Sequence, residues 1–174
     1  MAARPKLYRL AAHSLPRAGC SVQTSTGHTL STGLPVKQGG DDAAPQPVEL
    51  LLAALMGCKT ATAHFVARHA WPRPHNKIES LRFVDVLAER DERGALSLPI
   101  HEPAPVAAGL LRVSGICLVA PSADANVRDE DVRLLGEQVE RRCPVAARDQ
   151  LLTLKRSRAY KGCCWNGRAG VSTC

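Results

Sequence analysis

The run PVELLLAALMGCKTATAHFVAR, residues 47–68, constrains the fold more than any other part of the chain. Pro47 suits the first turn of a helix, no further proline or β-branched run follows, and the Leu and Ala content favours helix throughout. With Leu51 as origin, Leu55, Cys58, Thr62 and Phe65 follow at offsets of four, seven, eleven and fourteen, so they share one face. Cys58 therefore lies in a predicted apolar seam. Leu50, Ala53, Ala54, Gly57 and Ala61 occupy the other faces, and Lys59 and Arg68 are the only charges from Leu50 to Arg68. A helix apolar nearly all round is expected to be buried. Gly57 costs about 1 kcal/mol of helix propensity relative to alanine, which calls for a close neighbour at that point. Trp71-Pro72-Arg73-Pro74 stops the helix.

A chain of 174 residues is long enough for one domain with a sizeable core. We expect that domain over residues 1–160, with residues 161–174, rich in Gly, Cys, Ser and Asn, as a loosely held tail. Two residues each of Phe, Trp and Tyr leave the core to Leu, Val, Ala and Ile and weaken any base-stacking role. The formal charge of +7 is scattered along the chain, the pattern of a solvated surface rather than a nucleic-acid interface. No apolar run approaches the ~20 residues of a membrane span, so neither nucleic acid nor membrane is expected as a partner.

Seven cysteines stand at irregular spacing without a secretory signal pattern, which argues for an intracellular protein with functional thiols over a disulfide framework. Arg4, Lys6, Arg9 and Arg17 precede the first acidic residue, Asp41, a composition shared with organelle transit segments. Leu7–Ala11 also reads as a strand, and the first strand is the expectation for this stretch. The expectation is a cytoplasmic location, with an organelle as the alternative.

Three short strands are predicted before the helix, at Lys6–His13, Cys20–Thr24 and His28–Thr32, the last two joined as a hairpin by Ser25-Thr26-Gly27-His28. Gly33–Gln46 is loop. Beyond the helix, Lys77–Glu89 and Leu110–Val119 read as strands, with a turn at Asp91–Gly94, an irregular crossing over 95–108, and Gly115 as a bulge position. Asn126 or Asp129 is expected to cap a second helix whose first turn carries Asp129, Glu130 and Asp131. Val132, Leu135, Val139 and Cys143 form its apolar stripe, and Pro144 ends it. Leu151–Arg158 reads as a last strand.

Buried cysteine is ordinarily an inert small hydrophobe, and Cys20 and Cys117, in predicted strands, fit that role. Cys58 and Cys143 differ from them. Each ends or interrupts a helical stripe, each stands beside a residue of unusual local cost (Gly57, Pro144), and each has a basic neighbour in sequence (Lys59, Arg142). Spacing alone does not show that the two meet.

Several segments carry a family resemblance: His28-Thr29-Leu30, Gly39-Gly40-Asp41, Pro45 to Pro47, Glu49–Cys58, and later Val139-Glu140-Arg141-Arg142-Cys143-Pro144-Val145. In that order, from about Cys20 to Leu154, they resemble the OsmC/Ohr family of osmotically inducible and organic hydroperoxide resistance proteins, closer to the broader OsmC-like branch. The resemblance implies an α+β fold built as an intertwined homodimer, with curved antiparallel sheets wrapping two central helices. It also implies a thiol-dependent peroxidase: Cys58 attacks an organic hydroperoxide and becomes sulfenic acid, Cys143 resolves it to a disulfide, and a dithiol of lipoyl or other type restores both. No metal or other cofactor is implied. Leu51, Leu55, Phe65 and Val139 would supply aliphatic walls suited to organic or lipid hydroperoxides.

Active family members place a glutamate ten residues before the first cysteine and an arginine near the N-terminal strands. Here Val48 stands at ten and Glu49 at nine, the latter about half a revolution from Cys58 at ~100° per residue. Glu49 is a candidate supporting residue, and its alternative role is to favour the helix N-terminus. Arg17 is the nearest arginine, and reads as a solvated loop residue. Gly33 stands where the broader branch commonly has Asp. Three other readings compete with the peroxidase: a non-enzymatic dimer binding a small hydrophobic or electrophilic ligand, a zinc site built on Cys163, Cys164 and Cys174, and nucleic-acid binding. Vicinal Cys163-Cys164 lacks the usual zinc knuckle spacing. His64 reads as a packed or interface residue, and the other histidines form no metal-spaced cluster.

Overall fold

The computed structural model describes residues 5–70, 78–122, 127–146 and 155–158. The chain groups into two compact units, 1–54 and 55–174, with the boundary inside the long helix. The expected tail, 161–174, lies outside the described residues, as do Asn126 and the first part of the expected last strand.

The first unit is a three-stranded antiparallel meander, β1 (Leu10–Leu15), β2 (Gly19–Thr24) and β3 (Thr29–Thr32). Arg17 and Ala18 take left-handed conformations at φ 54° and 59°, and the Gly19 N–H donates to the Pro16 carbonyl, closing a tight hairpin turn between β1 and β2. Arg17 is thus an exposed turn residue. The second hairpin turns at Gly27, φ 90°, where the Thr24 N–H reaches the His28 carbonyl. β1 begins four residues later than the sequence predicts. Its pairing with β2 starts at Leu10 opposite Thr24, and the last outward bond runs from the Ser25 N–H to the Arg9 carbonyl. Beyond that point β2 has turned away, so among the described residues 6–8 meet no partner strand.

The connection to the helix is a folded loop with a short 3-10 turn, Val36–Gln38. Gly40 is required here because a Cβ would lie 1.8 Å from the Leu34 carbonyl oxygen. Helix α1 then runs from Pro47 to Ala70. Its start is held by Glu49, whose Oε2 accepts a 2.7 Å hydrogen bond from the Gln46 N–H.

The second unit contains the rest of α1, then β4 (Ile78–Arg90), a one-turn helix α2 (Arg93–Leu96), β5 (Leu110–Pro121), α3 (Asp129–Arg142) and β6 (Lys155–Arg158). β4 and β5 form a long antiparallel pair with a bulge in which Asp85 and Val86 face Gly115 alone. The extra residue therefore belongs to β4, opposite the predicted glycine, and Asp85 accommodates it with φ 51°. β6 pairs parallel to β5, because α3 intervenes and carries the chain back before β6 begins. The sheet is thus antiparallel except at this last pairing.

One apolar core holds this unit together. Ala63, Val66 and Ala67 from α1 meet Val132, Leu135 and Val139 from α3, with Ile78 and Val119 from the sheet beneath. The predicted stripe of α3 is fully buried, Val132 through Cys143. Its N-cap is Arg128, which displaces both expected caps: Asp131 at the third helical position accepts the Arg128 N–H at 2.9 Å and so supplies the end satisfaction from inside the helix. Asp129 is instead the first helical residue.

Two expectations for α1 are corrected. The buried row is Leu55, Lys59, Ala63, Val66 and Ala67, while Leu51 and Phe65 are 44% and 52% exposed, so the helix is not buried all round in the single chain. Residues Pro47–His69 are also long and apolar enough to cross a membrane by length and composition, at mean hydropathy 1.5, contrary to the reading that no such run exists. Ala63, Val66 and Ala67 of its buried row are packed in the core just described, and the row carries a paired lysine.

Candidate active site

Cys58 lies near the middle of α1, partly exposed, and Cys143 follows the last residue of α3. Pro144 bars Cys143 from helical geometry, and its backbone accordingly turns out at φ −73° and ψ 112°. The Cys143 N–H still donates to the Val139 carbonyl at 2.9 Å, so the last turn of α3 sets where the cysteine stands. Its Sγ lies 3.1 Å from Cys58 Sγ, with both thiols free. A disulfide needs the sulfurs about 1 Å closer. Spacing singled out both residues without placing them together, and the family resemblance alone implied their pairing; the fold sets the two sulfurs side by side across 85 positions.

Cys143 is fully buried and receives the Ala146 N–H at 3.5 Å. Burial pushes its pKa above the ordinary value of 9.0, against the lowering effect of the Ala146 N–H. Cys143 therefore keeps its proton near neutrality and donates it to Cys58 Sγ.

Lys59, noted in the sequence as the basic neighbour of Cys58, is buried and paired, which sequence reasoning missed. Lys59 is 3% exposed, and its Nζ donates to Glu140 Oε1 at 2.5 Å. Lys59 falls four residues after Leu55 and four before Ala63, in the row that proved to be buried, and that position was the available signal. Arg142, the basic neighbour of Cys143, is exposed and donates instead to Gln138. Glu49 is engaged at the start of α1 through Gln46.

A small cavity is lined by Lys59 and Glu140 together with Ala63, Leu81, Phe83, Cys117 and Val119. Cys58 and Cys143 do not line it. Of the expected aliphatic walls, Leu55 and Val139 are buried and Leu51 and Phe65 are not, the Phe65 ring resting 4.4 Å from His69. Among the described residues no three His, Cys, Asp or Glu side chains converge as metal ligands. The tail cysteines 163, 164 and 174 lie outside the described residues.

No curated protein has a significantly similar sequence. Solved structures share the fold at low identity. An OsmC-like protein from Mycoplasma pneumoniae superposes with TM-score 0.66 at 16% identity, covering 90% of this chain and 98% of its own. An organic hydroperoxide resistance protein OsmC from Legionella pneumophila gives 0.59 at 16% identity, with coverage of 90% and 98%. The organic hydroperoxide resistance protein OhrB of Bacillus subtilis gives 0.55 at 13%, with coverage of 88% and 98%. The sequence profile of OsmC-like proteins matches residues 39–148, a span that holds the Gly39-Gly40 loop, α1, the β4–β5 hairpin, α3 and both Cys58 and Cys143. The chain belongs to the OsmC-like protein family.

Proposed function

We propose that the protein is a thiol-dependent peroxidase reducing organic hydroperoxides. The observation that carries this reading is the pair of free thiols 3.1 Å apart, one partly exposed and one buried. Ionised Cys58 attacks the terminal oxygen of ROOH, the O–O bond breaks, ROH leaves, and Cys58 becomes sulfenic acid. Cys143, deprotonated, attacks that sulfur and expels hydroxide, forming the Cys58–Cys143 disulfide. An external dithiol supplies the two electrons that restore both thiols and is itself oxidised to a disulfide. Such a cycle fits a reducing intracellular compartment. Membership of a family that includes hydroperoxide resistance proteins supports the reading. The hydrogen bond from Gln46 supports a helix-start role for Glu49.

One equivalent of cumene hydroperoxide should remove two mass units from the reduced protein, with the bond mapped by peptides to Cys58 and Cys143. Thiols that stay reduced would overturn the peroxidase and favour the ligand-binding alternative. Because burial raises the Cys143 pKa above 9.0, closure of the disulfide requires the minor, ionised form at neutral pH. Its rate should climb close to tenfold per pH unit from roughly pH 7 to 9 in rapid-quench mass measurements. A flat profile would mean that Cys143 is not the attacking sulfur in that step.

The reading extends to a homodimer. Gly57 has no neighbour within 4 Å of where a Cβ would stand, and Ala61 and Phe65 nearby are exposed in the single chain. A second copy over this face would provide the close approach that justifies Gly57. Gly57→Leu should then dissociate a dimer seen by sedimentation. Were the wild type a monomer at micromolar concentration, the same change would instead raise stability by up to about 1 kcal/mol.

A further inference from the structure

We propose that the Lys59–Glu140 ion pair is the positioning element that holds Cys143 against Cys58. The proposal rests on the reading of these thiols as a reacting pair, but not on which oxidant they meet. Two links join the same two stretches of chain. Lys59 directly follows Cys58, and Glu140 stands one helical turn before Cys143. The sulfurs are 3.1 Å apart, and Lys59 Nζ is 2.5 Å from Glu140 Oε1.

The physical characters of the two links differ. Apolar contacts between α1 and α3 are non-directional, so they bring the helices together and resist sliding less sharply than a bond of set length and direction does. The ion pair has a fixed length and direction. Its lysine side chain is 4% exposed and its glutamate 28%, so the ammonium has lost most of its water and depends on that carboxylate. The pair shares a cavity with the apolar side chains of Ala63, Leu81, Phe83, Val119 and Val139. Of the other charges of α3, Glu137 pairs with Arg133, and Arg142 donates to Gln138.

Cys143 inherits its place from this turn. Pro144 has ended the helix, and the Cys143 N–H is fastened to Val139, the residue immediately before Glu140. A shift of α3 that lengthened the ion pair would draw Cys143 away from Cys58. The pair should therefore govern the readiness of the thiols to form a disulfide, expressed as their effective molarity.

The test equilibrates the full-length protein with glutathione disulfide and glutathione, and measures the Cys58–Cys143 bond by acid quench and peptide mass. Here the two cysteines lose two electrons to glutathione disulfide, which leaves as two glutathione thiols. Lys59→Met combined with Glu140→Leu replaces the pair by apolar side chains of similar length. Effective molarity should fall by about tenfold or more, with the thermal midpoint retained, since misplacement by about 1 Å is enough for such a loss. Glu140→Asp keeps the charge and withdraws the carboxylate by one methylene, and should lower effective molarity by about threefold or more. Values within twofold of wild type in both variants would overturn the proposal. If the double variant does not fold, the Asp variant decides by the same threshold. Wild-type thiols inert to hydroperoxide, with a glutathione equilibrium that still follows the variants, would reject the peroxidase and keep the clamp. An unchanged equilibrium with peroxide reduction intact would do the reverse.

Discussion

Cys58→Ser is expected to lower the rate of cumene hydroperoxide reduction, assayed with a dithiol reductant, by about a thousandfold or more. A serine hydroxyl does not ionise near neutrality, so the displacement on the peroxide oxygen loses its nucleophile. The two sulfurs are not equivalent in this respect. Cys143 is fully buried and holds its proton, whereas Cys58 is reachable from solvent. Peroxide should therefore meet Cys58 first. Cys143→Ser should leave that first attack largely intact, trap Cys58 as sulfenic acid, and stop turnover after one equivalent per chain. Retention of more than a tenth of the wild-type rate by Cys58→Ser would place the chemistry elsewhere.

Leu135→Ala should destabilise the fold by about 3 kcal/mol in urea unfolding followed by circular dichroism. Leu135 is 4% exposed and packs in the core that joins α3 to α1 and the sheet. Truncation removes its burial energy and leaves a void that close-packed neighbours fill only in part. The adjacent Leu134 is 47% exposed, and Leu134→Ala should change stability by less than about 0.5 kcal/mol. Equal losses at the two positions would contradict the described facing of α3. Because Cys143 ends this helix, Leu135→Ala should also slow closure of the disulfide, whereas Leu134→Ala should not.

The two long helices were legible where local chemistry is decisive. Pro47 opens α1, Pro144 stops α3, and the α3 stripe is set against charged residues on its other face, so pattern alone gives its orientation. α1 lacks that contrast. Leucine and alanine surround it, and a seam through Leu51 and Phe65 matches helical spacing as well as the row actually buried. Lys59 was obscured for a related reason: an amine enters a core only with a partner, and its partner lies 81 positions away. Both key cysteines could be picked out locally, but their contact depends on how α3 lies over α1. The late start of β1 was hidden too, since whether 6–8 form a strand depends on how far β2 continues beside them.

The separation of the two thiols also has a consequence during synthesis. They stand 85 positions apart, so at roughly 5–20 residues per second Cys58 is made about 4–17 s before Cys143. Throughout that interval the growing chain has a Cys58 without its companion, and without the helix that would cover its buried row. Oxidation at that stage yields a sulfenic acid with no internal thiol to capture it, open to glutathione or further oxidation. Ribosome-bound chains halted before residue 143 and exposed to hydroperoxide should therefore accumulate Cys58 adducts that released, complete chains do not.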